Sequence, residues 1–66
     1  MIKVYLNGKQ LQVAGDITVA ALLEQEGLLT PAATVAVNDK LLPRQEWNCR
    51  LEEGDRVEVI ILMEGG

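Results

Sequence analysis

Gly65 and Gly66 follow directly on Val57-Glu58-Val59-Ile60-Ile61-Leu62-Met63, the most strand-like run in a chain of 66 residues. A carboxylate on a Gly-Gly segment can thread a narrow channel, because without Cβ atoms the backbone approaches a partner closely and adopts conformations that other residues avoid. The chemistry such a tail suits is activation and transfer at Gly66. The competing account of any chain end is simple fraying. Other reactive side chains are few. There is no histidine, and Cys49 is the single cysteine. The nearby carboxylates of Glu46, Glu52 and Glu53 disfavour a thiolate, so Cys49 is expected to serve as a small hydrophobe. Arg44, beside Pro43, is expected either to bridge to a partner or to cap nearby carbonyls or pair with Glu46. No phosphate-cradling glycine loop and no clustered metal ligands accompany these residues, so the chain is not expected to catalyse a reaction alone.

The elements that carry the tail must fit in very little protein. Sixty-six residues hold one domain with a thin core, predicted over residues 1–66 with a flexible Gly-Gly tail at 64–66. Any chemistry is therefore shared with a larger partner. Ten acidic residues against six basic ones give a net charge of −4, a poor match to a phosphate backbone, and no nucleic-acid partner is expected. A lone cysteine permits no internal disulfide, which favours a reducing, cytoplasmic setting. No run is long and apolar enough to span a membrane, and no secretory leader is expected.

Ile2, Val4 and Leu6 alternate with Lys3 and Tyr5; after Asn7-Gly8 the alternation resumes with Leu11 and Val13. This predicts a β-hairpin, because Asn-Gly supplies the positive φ angles of a tight two-residue turn. From Ile17 to Leu28 the period changes, with Val19, Leu22 and Leu23 at helical spacing. Thr18 is the expected N-cap, with Ile17 and Leu22 placed as a hydrophobic staple. Gly27 is the expected left-handed stop, with Leu28 packing back on Leu23. Thr34 to Val37 reads as a short strand that turns through Asn38-Asp39-Lys40 into Leu41 and Leu42. Pro43 ends that pairing, Arg44 to Trp47 forms one tight turn, and Trp47 covers the rim of the core.

In the last strand Val57, Val59, Ile61 and Met63 share one face, and Arg56, Glu58, Ile60 and Leu62 the other. Both faces turn apolar toward the tail, as in a central strand. A hairpin, a helix and further strands, with the last strand parallel to the first, make an α+β β-grasp arrangement, a mixed four- to five-stranded sheet with one main helix on one face. Ile60 and Leu62 then lie on the uncovered face, where they would form a docking surface.

Together these residues resemble the sulfur carrier proteins of thiamine thiazole biosynthesis, a ubiquitin-like β-grasp family. The resemblance rests on Asn38, on Leu42-Pro43-Arg44 followed by Trp47, on Gly54-Asp55 opening the last strand, and on Gly65-Gly66 at the matching length. Glu64 departs from the small residue often found before the Gly-Gly. The resemblance implies that Gly66 is adenylated by an E1-like adenylyltransferase using ATP and Mg, converted to a thiocarboxylate, and presented to thiazole synthase. Its sulfur would come from a cysteine desulfurase or a persulfide protein. The chain itself would bind no cofactor. Gly65 and Glu64 would thread into the partner, and Ile60, Leu62, Met63 and Arg44 would dock. Three alternatives share parts of this reading: the small subunit of molybdopterin synthase, a ubiquitin-like modifier conjugated to lysines, and a β-grasp binding module with an idle tail.

Overall fold

The structure, a computed structural model, describes residues 1–62. Strands β1 (Ile2–Leu6) and β2 (Lys9–Val13) form the expected hairpin, with Leu6 opposite Lys9. Asn7 and Gly8 connect them at φ of 50° and 85°, the left-handed pair that matches the natural twist of two antiparallel strands.

Helix α1 (Val19–Gln25) is specified at both ends by local chemistry. Thr18 Oγ1 accepts from Ala21 N at 3.1 Å. The first amides also find carbonyls from a distant segment, Val19 N donating to Cys49 O at 3.1 Å and Ala20 N to Trp47 O at 2.9 Å. Donors that every helix start leaves without an intrahelical partner are thus satisfied. At the other end Leu28 N donates to Leu23 O at 2.7 Å and Gly27 N to Glu24 O at 3.1 Å, the paired bonds of a Schellman ending. Gly27 supports this with φ of 74°.

Strand β3 (Ala33–Val37) starts one residue before the expected Thr34, and β4 (Lys40–Leu42) returns beside it. Asn38 and Asp39 make that turn at φ of 51° and 69°, a second left-handed pair without glycine. Asparagine and aspartate tolerate this region better than other side chains. A 3₁₀ turn spans Arg44–Glu46, and β5 (Arg56–Ile61) closes the domain.

The sheet order is β2-β1-β5-β3-β4, with β5 parallel to β1 and antiparallel to β3. This is the β-grasp arrangement, with five strands and the last in sequence at the centre. One face packs Val4, Leu6, Val35, Val57 and Val59 against Val19, Leu22 and Leu23 of the helix. Each such buried side chain contributes about 1.5–3 kcal/mol. Trp47 goes deeper than the rim position expected of it. The residue is only 4% exposed, and its Nε1 donates to Leu42 O at 3.0 Å.

Cys49 departs from expectation. Expected as a small hydrophobe, it is exposed. The segment that carries it is held to the helix through backbone carbonyls, and Leu51, not Cys49, is the residue that enters the core.

Candidate functional site

Strand β5 leads into residues 63–66, so what holds β5 decides where the tail departs. At its start Gly54 turns the chain with φ of 85°. Asp55 Oδ2 accepts from Glu52 N at 2.8 Å, as expected of a turn residue. Its Oδ1 reaches further and accepts from Asn38 Nδ2 at 2.9 Å. Asn38 Oδ1 in turn accepts from Arg56 N at 2.9 Å, while Asn38 N donates to Arg56 O at 2.8 Å. The β3–β4 turn and the entry to β5 are therefore one hydrogen-bonded unit. The ion pair Arg56–Asp39, 3.0 Å long, adds little, because both side chains are mostly in water.

On its other side β5 receives Tyr5 N at Asp55 O and Asn7 N at Val57 O, both 2.9 Å. The side chain of Asn7 then continues the ladder past the end of β1, its Oδ1 accepting from Val59 N at 2.8 Å. At the far end Leu62 N donates to Ala32 O at 3.1 Å. β5 is thus held on both sides at its start and from the β3 side at its end, which gives the tail a fixed base. The docking role expected of Met63, and the threading and transfer roles expected of Glu64, Gly65 and Gly66, lie outside the described residues.

Ile60 and Leu62 stand where the alternation of β5 puts them, on the sheet face away from the helix, 60% and 68% exposed. Ile60 is opposite Thr34, and two residues along β3 Ala36 is opposite Leu41, so Leu41 shares this face at 71% exposure. The sequence did not single out Leu41 for docking. Only its register with Ala36, fixed by the Asn38-Asp39 turn, could have found it. Three exposed branched aliphatic side chains on one face of so small a sheet form a surface suited to a partner.

Arg44 is engaged within the chain. Its Nη2 donates to the Thr30 carbonyl at 2.6 Å, and its guanidinium lies 4.3 Å from the centroid of the Trp47 ring. It caps a carbonyl, one of the tasks expected of it, in place of pairing with Glu46. Arg44 also lines a shallow hollow of about 180 Å³ with Leu41, Thr34 and Trp47, which brings it to the border of the apolar face.

Among the described residues no three His, Cys, Asp or Glu side chains come together as a metal site. Among the same residues no helix is long and apolar enough to cross a membrane.

A five-stranded β-grasp with an exposed apolar sheet face, whose central strand leads to Gly65-Gly66, defines the class of ubiquitin-like carrier domains. Within that class, the sequence profile of the ThiS family matches residues 4–66, and the chain belongs to the ThiS family. It is 29% identical over 66 residues to the sulfur carrier protein ThiS of Escherichia coli strain K12, covering 98% of this chain and 100% of that one. Its structure is similar to the crystal structure of a thiamine biosynthesis protein (ThiS) from Geobacter metallireducens, with TM-score 0.82 and 29% identity over 98% of this chain and 100% of that one. SAMP1 from Haloferax volcanii shares the fold, with TM-score 0.64 and 18% identity over 98% of each chain.

Proposed function

We propose that this chain is a sulfur carrier for the thiazole of thiamine, with the Gly66 carboxylate as its working group. The observation that carries the reading is the family match along nearly the whole chain, running through Gly66, together with a central β5, tied to Asn38 and Asn7, that precedes the tail in sequence. A carboxylate is a poor acylating group until one oxygen becomes a good leaving group. Attack of that oxygen on the α-phosphorus of ATP releases pyrophosphate and leaves an acyl adenylate. The terminal sulfur of a persulfide then attacks the acyl carbon and expels AMP. Cleavage of the resulting acyl disulfide by a thiol frees the thiocarboxylate, a softer nucleophile than the carboxylate it replaces.

The chain's own part is to carry. ATP, Mg and the cationic groups that stabilise phosphoryl charge belong to an E1-like adenylyltransferase; sulfur comes from a cysteine desulfurase or a persulfide protein, and thiazole synthase receives it. The chain binds no cofactor of its own and works in the cytoplasm. Ile60, Leu62 and Met63 form the docking surface, with Leu41 and Arg44 at its border, while Glu64 and Gly65 thread the tail.

The test is the intact mass after incubation with the adenylyltransferase, ATP, a desulfurase and cysteine. Replacement of one oxygen by sulfur, abolished by deletion of Gly66, supports the carrier. An unchanged mass, with the adenylyltransferase shown active on another carrier, overturns it.

A further inference from the structure

Along β5 the backbone groups of alternate residues point to opposite neighbours. Arg56 and Leu62 bond toward β3, through Asn38 and Ala32. Val57 and Val59 bond toward β1, through Asn7. The same alternation turns the N–H of Ile61 and the C=O of Val59 to the β1 side. There β1 has already ended: its pairing with β5 stops at Leu6 opposite Val57, and the chain reverses at Asn7-Gly8 into β2, on the far side of β1. Asn7 supplies one side-chain acceptor, and beyond it no described strand meets this edge. The central strand of the sheet is therefore an open edge over its last residues. Beside the turn that ends β1 lies a groove of about 570 Å³, lined by Tyr5, Asn7, Gly8, Arg56, Val57 and Glu58.

From this we infer that the Val59–Ile61 edge of β5 is a strand-addition site, completed by an extended segment of the protein that activates the tail. The ligand chemistry follows from what is left unpaired. A peptide N–H and a peptide C=O in strand geometry are matched by another extended backbone, which would donate to Val59 O and accept from Ile61 N. On the exposed face the added strand would run beside Glu58 and Ile60, which calls for a basic residue next to an apolar one. The net charge of −4 favours the same partner. A second copy of this chain is a poorer fit, since both copies would bring Glu58 to the same short seam. The inference rests on the carrier reading for the identity of the partner, the adenylyltransferase, and on geometry alone for the place.

The chain is short enough for chemical synthesis, so N-methyl-Ile61 can remove the one donor and keep the side chain. The fold is expected to survive, because that donor serves no bond among the described residues, and the dissociation constant for the adenylyltransferase is expected to rise about tenfold. A second measurement uses the natural chain. The Ile61 amide should exchange its hydrogen freely in isolation and become protected in the complex, while the Ile60 amide is protected in both. Equal affinity of the two chains, loss of folding on methylation, an Ile61 amide already protected in the free chain, or no complex at all would each overturn the inference. Adenylation is read separately by mass. A chain adenylated normally but with equal affinity sinks the strand-addition site alone, and a chain that binds as described but is never adenylated sinks the carrier reading alone.

Discussion

Asn38 and Asp55 are joined side chain to side chain at 2.9 Å, and through this bond the β3–β4 turn holds the first residue of the strand that carries the tail. Both ends of the pair are fully used. Asn38 donates to Asp55 and accepts from the Arg56 amide, while Asp55 also accepts from the Glu52 amide. Replacing Asn38 with aspartate keeps the acceptor for Arg56 and sets two carboxylates against each other. Asn38→Asp should destabilise the domain by about 1–2 kcal/mol, held to that size by water around an exposed pair. Asp55→Asn added to it should restore part of the loss, since the new amide can donate where the old one did. Urea denaturation of the four chains measures the coupling; additive effects would mean that the bond contributes nothing to stability.

Alternate residues of β5 should separate docking from folding. Val59 is 8% exposed and Ile60 60%. Ile60→Asp should cost about 1 kcal/mol of stability, mainly from poorer strand propensity, and should weaken binding to the adenylyltransferase far more. Val59→Asp should unfold the domain, because it buries a charge with no partner. Melting curves and binding titrations distinguish them, and unfolding by Ile60→Asp would place that side chain in the core.

At the tail, Gly66→Ala should leave the melting temperature unchanged and slow adenylation severely. A Cβ next to the reacting carboxylate narrows the approach to the activating site. Single-turnover adenylate formation is the measurement, and an unchanged rate would detach the glycine from the chemistry.

Trp47 combines burial with a hydrogen bond to Leu42 O and a stacked Arg44. Trp47→Phe should therefore cost about 1–3 kcal/mol, since it shrinks a packed ring and removes the indole's hydrogen bond to the Leu42 carbonyl. Arg44→Ala should cost less, about 0.5–1 kcal/mol, the worth of a stacked cation in water. Chemical denaturation followed by circular dichroism ranks the two, and a larger loss for Arg44→Ala would make the arginine, not the ring, the main anchor of this turn.

The sequence by itself determined the parts whose forces are local. Asn7-Gly8 needed a left-handed turn, Thr18 needed the amide of Ala21, and Gly27 needed the carbonyl of Glu24, all within a few residues along the chain. Alternation along β5 settled which side chains face the core and which face outward, and so Ile60 and Leu62 were legible as exposed. Tertiary structure decided what depends on register between distant strands. That Asn7 stands in for a missing strand residue opposite Val59, that Asn38 pins Arg56, and that Leu41 shares a face with Ile60 across β3 all depend on how β5 pairs with strands distant in sequence. Cys49 shows the same limit. Its neighbours in sequence disfavoured a thiolate and suggested a small hydrophobe, but the carbonyls of its segment cap the start of the helix, its side chain is exposed, and Leu51 enters the core. Local sterics act between neighbours and can be read from them, whereas burial and strand register are settled only when the whole sheet has closed.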